Sequence, residues 1–320
     1  MLLALAAILV SWQTRLFGER GQQAGDRDRG SRSAGGVAPP GSPASSRPPR
    51  GSSPRPANWV DRSALVARVG RIANATGDGV GVAIRPLDRR PPLRVGPLQV
   101  GPAWSTMKVP VILARYRLAR QLHQPSSTLG ERVALAITES DNDAGSSLFG
   151  EIVSAEGGVV PASRYVQELL EQAGDERTVV NAVPPPGGFS TFGQTRWTLS
   201  RGTLFYSALA RGCLHPRDGS RAILRLMGEV VPSQGWGLGQ ARFQGASRVL
   251  FKGGWGPDPG GRYLVRQFGI VQTAGGDGLA VGLMDAPADG SFESGVSTLN
   301  RLADAVAQSV HPSRARRAHC

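Results

Sequence analysis

Lysine is almost absent from this chain. Of its 37 cationic side chains 35 are arginine, and lysine stands only at Lys108 and Lys252. A guanidinium keeps its proton in any protein setting, whereas a desolvated ammonium can give one up. A chain that writes arginine nearly everywhere else therefore marks two positions where a compact, deprotonatable amine is wanted. Cysteine is just as scarce: Cys213 falls in a helical pattern and Cys320 ends the chain. Two thiols so far apart make no disulfide framework, and without a CxxC or Cys/His cluster they make no zinc site. The four histidines, His123, His215, His311 and His319, are scattered through loops and tail. Neither a metal nor a cofactor is expected.

A basic stripe interleaved with aromatics is also missing. The net charge of +13 invites nucleic acid as a partner, but its distribution argues against that. Between Arg15 and Asn58 eight arginines face three acids, and the tail adds Arg314, Arg316 and Arg317. The body keeps only a modest excess, so nucleic-acid binding is not expected.

What is present divides the chain into four stretches. MLLALAAILVSW is apolar from Leu2 to Val10 and too short for a full membrane span of about 20 residues. It lacks a cationic leader and an A-x-A cleavage site, so residues 1–18 read as a hydrophobic signal or anchor segment, possibly truncated. Membrane association through this segment is expected. Residues 19–58 (GSPASSRPPRGSSPRP among them) hold too few large apolar groups to offset their ordering entropy and read as a disordered linker. The folded domain is expected over 59–310, followed by a basic tail at 311–320.

Within the domain, DRSALVARVGRIANAT has helical spacing, and residues 79–97 alternate as two strands. Helical patterns dominate from Thr106 to Ala210, punctuated by loops such as VPPPGG. Strand patterns return in RVLFKGGWG, YLVRQFGIVQT and GLAVGLMDAP, and Phe292 to Val310 closes with a helix. Hairpin-length links between consecutive strands make them antiparallel. The expected class is α+β, a five-stranded antiparallel sheet flanked by helices, with an inserted all-α subdomain.

Three short motifs carry chemistry. In Ser105-Thr-Met-Lys108 the hydroxyl and the amine lie one helical turn apart, and a desolvated amine there could accept the hydroxyl proton. Ser140-Asp141-Asn142 sits on a bend between two helical runs, where the same residue types would serve equally as a helix cap. Lys252-Gly253-Gly254 lies late in a strand; its glycines either let a ligand approach the backbone or mark a bulge. In this order the three motifs resemble the S-x-x-K, S-D-N and K-T-G set of serine β-lactamases and penicillin-binding proteins. The resemblance spans roughly residues 60–310, and both lysines of the chain occupy its two lysine positions.

That resemblance implies roles. Ser105 would be the acylated nucleophile, Lys108 its proton acceptor, and Ser140 a shuttle to the leaving nitrogen. Asn142 would hold a substrate amide, Asp141 would orient the bend, and Lys252 would attract a substrate carboxylate. With Gly253 and Gly254 beside it, Trp255 would contribute its N–H, together with that of Ser105, to an oxyanion hole, where one donor is typically worth about 2.7–4 kcal/mol. It also implies an extracytoplasmic protein, membrane-anchored or secreted, acting as a monomer on a small molecule or peptide.

The sequence departs from the family in three ways. K-G-G replaces K-T-G, so a carboxylate-binding hydroxyl is lost. Residues 109–139 are shorter than in class A enzymes, which predicts a more open cleft. No Asp or Glu occurs between Arg177 and Arg217, where class A enzymes carry the glutamate that activates the deacylating water. Glu168, Glu171 and Glu176 read as a solvated helix face, and Gln194 and Thr195 are not basic. The expected function is an acyl-serine hydrolase or transferase with slow deacylation, acting on a cell-envelope peptide or amide. The alternative is a catalytically degenerate binding protein of the cell envelope.

Overall fold

The computed structural model describes residues 58–320. The anchor expected at 1–18 and nearly all of the expected linker lie outside the described residues. No described helix is long and apolar enough to cross a membrane.

The chain opens with α1 (Arg62–Thr76), where Asp61 accepts a hydrogen bond from Ala64 N at 3.0 Å and Gly77, at φ 74°, ends the helix in the left-handed conformation that glycine tolerates best. Strands β1 (Gly79–Pro86), β2 (Leu93–Val95) and β3 (Val100–Pro102) follow. The helical part comprises α2 (Lys108–Gln121), α3 (Gly130–Ala134), α4 (Asn142–Glu156) and α5 (Val159–Gln172). After a long loop come β4 (Arg196–Thr198), α6 (Leu199–Arg211) and α7 (Arg217–Leu226). Strands β5 (Arg248–Pro257), β6 (Tyr263–Gln272) and β7 (Gly278–Ala286) lead to α8 (Phe292–Ala307).

The five-stranded sheet has the order β2-β1-β7-β6-β5, antiparallel throughout, with β5 at one edge. Its strands read as apolar runs because both faces are covered. Val80, Val82, Val281 and Leu283 point to α1 and α8, meeting Leu65, Val69, Leu299 and Leu302. Ala83, Ala280 and Met284 point the other way, into the core shared with α2 and α6. Gly202 of α6 is needed there, since a Cβ would fall 1.9 Å from Phe268 Cζ. Helix α2 is buried almost all round, from Lys108 to Tyr116, and forms the axis of the helical part.

Two features differ from the sequence-based expectation. A second, two-stranded sheet pairs β3 with β4, tying the segment before Ser105 to the far end of the long loop. Three-residue strands whose partners lie far away in the chain leave too little to be read in advance. Cys213 and Cys320 also form a disulfide, with Cα atoms 5.5 Å apart. Sequence separation carries no information about this closure, because the fold returns the chain end to the end of α6. Residues 311–320 accordingly dock on the body: Gly278 N donates to Ala315 O, and Ala318 N donates to Leu87 O.

Candidate active site

Ser105 lies in a 3-10 turn, Trp104–Met107, that runs directly into α2. Trp104 adopts φ 48°, a strained conformation for a bulky residue, and so turns the chain sharply just before the serine. Its indole is wedged against Gly256, where a Cβ would sit 2.6 Å from the ring, and meets Phe189 edge-on at 5.4 Å. Arg266 holds the approach from below. Fully buried, its Nη1 donates to Gly101 O at 3.1 Å and Pro102 O at 2.9 Å.

Ser140 sits at φ 58° after a π-helical turn (Leu135–Glu139), and this bend aims it back at α2. Asp141 caps α4 by accepting from Ala144 N at 2.7 Å, so this carboxylate is spent on the helix N-terminus. Lys108 Nζ donates to Ser140 O at 2.5 Å and to Asn142 Oδ1 at 2.9 Å. Lys252 Nζ donates to Ser140 Oγ at 2.8 Å and to Gly253 O at 3.2 Å. The first and third motifs thus converge on the second.

Both amines are 1% exposed. Burial brings Lys108 down to about 8, with the Asp141 charge opposing the fall. Lys252 is lowered well below its ordinary value, first by burial and then by the Lys108 charge. A deprotonated amine has two N–H groups and one lone pair. Once Lys108 has given up a proton, its two N–H groups can stay with Ser140 O and Asn142 Oδ1 and its lone pair can accept a proton. Gly145 on α4 makes room for this side chain, since a Cβ there would fall 2.9 Å from Lys108 Cε.

The backbone of β5 supplies the opposite wall. Phe251 N donates to Met227 O, away from β6, and Gly253 O accepts from Lys252. By strand alternation Trp255 N–H points to the same outer edge. Ser105 N–H, in the leading turn of its helix, has no partner further back. The two donors lie together because Gly254 brings the strand close: its Cβ would be 3.0 Å from Ser105 N. The close approach at Gly254 is therefore made by the serine turn itself. Gly253 faces Trp236, 2.9 Å from where its Cβ would be. Lys252, being buried, does not line the cleft itself but donates to Ser140 Oγ, which does.

The resulting cleft, about 170 Å³, is lined by Ser105, Ser140, Asn142 and Ser146 among polar groups, and by the aromatics Trp104, Phe189, Trp255 and Tyr263. Ser105 is half-buried and Asn142 exposed at its mouth. Gly188, Phe189 and Ser190 of the long loop form one side, and no carboxylate lines it. Glu168 pairs with Arg117 and Glu171 with Arg164 on the outer face of α5. Thr195 is committed to structure, its Oγ1 accepting from Asn181 N at 3.0 Å. Sequence reasoning missed Trp104, Phe189, Tyr263 and Arg266; only the lone arginine in the apolar run YLVRQFGIV carried a signal.

No protein-family model matches the chain, and no curated protein matches it. Solved structures do. The TLA-1 extended-spectrum β-lactamase superposes with a TM-score of 0.62 at 14% identity, covering 77% of this chain and 98% of that one. A β-lactamase from Sphaerobacter thermophilus gives 0.59 at 18% identity, covering 77% and 96%. PBP-A gives 0.55 at 22% identity, covering 76% and 96%. The fold is that of the serine β-lactamases and penicillin-binding proteins.

Proposed function

We propose that this protein is an acyl-serine hydrolase or transferase that forms a long-lived acyl-enzyme on Ser105, acting on an amide or peptide of the cell envelope. The observation that carries this reading is Lys108, one helical turn after Ser105, buried, held by Ser140 O and Asn142 Oδ1, and lowered to about 8, so that it can give up a proton and act as a base. As Ser105 Oγ attacks a carbonyl, Lys108 takes its proton, and the N–H groups of Ser105 and Trp255 receive the developing oxyanion. Ser140 Oγ, accepting from Lys252, passes a proton to the leaving nitrogen. Asn142 keeps its Nδ2 free for a substrate carbonyl once Oδ1 has accepted from Lys108.

Slow deacylation rests on the cleft lining, which offers water no carboxylate. A relative of this fold, a PBP-A variant, has been solved as an acyl-enzyme with penicillin G, at 20% identity and a TM-score of 0.57. The Cys213–Cys320 disulfide fits an oxidising, extracytoplasmic setting. The same lack of a carboxylate favours a second reading, a binding protein without turnover.

Intact mass of the full chain over time after adding penicillin G separates these readings. A lasting adduct absent from Ser105→Ala is the expected result. An adduct that forms and clears would mean that water is activated by another group. No adduct with penicillin or with envelope peptides would leave the binding protein.

A further inference from the structure

A second pocket, sharing no residue with the Ser105 cleft, lies where the ends of α6 and β5 meet α7 and the docked chain end. It measures about 550 Å³ and is lined by Arg211, Arg217, Arg221, Arg248, Arg317 and His319, with no Asp or Glu. Behind it stand Arg85 and Arg89. Burial and the Arg211 charge hold Arg85 down to about 10, and burial with Arg89 and Arg317 lowers Arg211.

Among the described residues, seven ion pairs serve Arg90, Arg115, Arg117, Arg132, Arg164, Arg201 and Arg225, and none serves an arginine of this cluster. Asp277, the carboxylate that touches the chain end, accepts from Arg317 N rather than from a guanidinium. Arg211 Nε and Nη1 are buried without a hydrogen-bond partner. Arg211 and Arg85 are partly desolvated beside like charges, which is unfavourable unless an anion joins them.

The gathering is also built. The Cys213–Cys320 bond fixes the chain end beside α6, Arg317 Nη2 donates to Arg211 O at 2.8 Å, and Arg89 Nη2 donates to His319 O at 2.6 Å. Several planar forks converging on one volume suit a tetrahedral oxyanion with many acceptor oxygens better than a single carboxylate. The volume exceeds one bare phosphate and falls within the range of small-molecule sites, about 300–1,000 Å³.

We propose that this arginine pocket binds a phosphate-bearing ligand, with the exposed guanidiniums of Arg217, Arg221, Arg248 and Arg317 clasping the phosphate oxygens and the half-buried Arg211 supplying the positive floor. The site is independent of the Ser105 chemistry.

Calorimetric titration of the full chain with pyrophosphate, beside flotation with phosphatidylglycerol and phosphatidylcholine vesicles, tests this. Binding is expected to weaken about tenfold for each guanidinium removed, hence about a hundredfold in Arg221→Gln/Arg248→Gln. Thermal melting reports whether that variant is folded, and Arg217→Gln alone gives a second reading should it melt early. Binding of pyrophosphate alone, lost in the variant, assigns a free phosphate ligand. Binding of phosphatidylglycerol vesicles alone, lost in the variant, assigns a lipid headgroup. Absence of both, or equal binding by the variant, overturns the site.

Discussion

The Ser105 cleft and the pocket beside the disulfide are each organised around partly or wholly desolvated cations, yet the first uses only lysine and the second only arginine. In the cleft two amines are sealed in, 1% exposed, and meet at Ser140. Burial there is useful because an ammonium can answer it by releasing a proton, which makes a base. In the pocket the guanidiniums stay charged, so crowding them raises a field that only an anion can satisfy. The chemistry of the two side chains, rather than the sign of their charge, separates a site that moves protons from one that holds an anion.

Exchanging the side chains tests this contrast most strongly in the cleft. Lys108→Arg retains charge, but it removes the lone pair and enlarges a group already 2.9 Å from where a Gly145 Cβ would be. Acylation by penicillin, followed by intact mass, is expected to fall by about a thousandfold or more. In the parent protein the acylation rate should climb with pH through about 8 as the Lys108 amine loses its proton. A flat profile, or labelling by Lys108→Arg at the parent rate, would remove lysine's special role.

An intermediate effect comes from a buried acid that belongs to neither site. Asp285, at the end of β7, is fully buried with both carboxyl oxygens lacking a donor. Burial first, and then the neighbouring Asp78 charge, raises it to about 8. The folded state therefore holds a proton that the unfolded state has released above about pH 4. Stability contributed by the protonated form declines as pH rises from there to about 8. Lys108 and Lys252, whose lowered amines act in the opposite sense, are common to both proteins, so the melting temperature of the parent relative to Asp285→Asn is expected to fall by about 5 °C between pH 6 and pH 9.

The smallest effect belongs to the arginine pocket. Arg248→Lys keeps the charge there and loses only the fork, so pyrophosphate affinity should fall about threefold, with acylation unchanged. A loss as large as that of Arg248→Gln would mean that geometry, not charge, dominates the pocket.

Legibility in the sequence was uneven for local reasons. β1, β5, β6, β7 and the closing helix were readable because each is a long apolar run with turn residues at its ends, and the short β2 was readable as the partner across a turn from β1. β3 and β4 were not, since three residues carry no period and, unlike β2, neither has its partner next to it in the chain. Ser105, Lys108, Ser140, Asn142 and Lys252 could be singled out by type and spacing. Asp141 was ambiguous between cap and site, and its bond to Ala144 N makes it a cap. Trp104, Phe189 and Tyr263 gave no warning, because an aromatic that lines a cleft looks like any other apolar residue until its neighbours are known.

By itself, then, the sequence determined the α+β pattern, the two lysines, and the lack of any acid from 178 to 216. These depend on residue type and short-range period. Tertiary structure decided which groups share a proton, that Gly254 yields its space to the serine turn, that Lys252 faces inward, and that Cys213 reaches Cys320. Such facts depend on desolvation and on distances between residues far apart in the chain. Neither quantity is defined until the sheet and helices have packed.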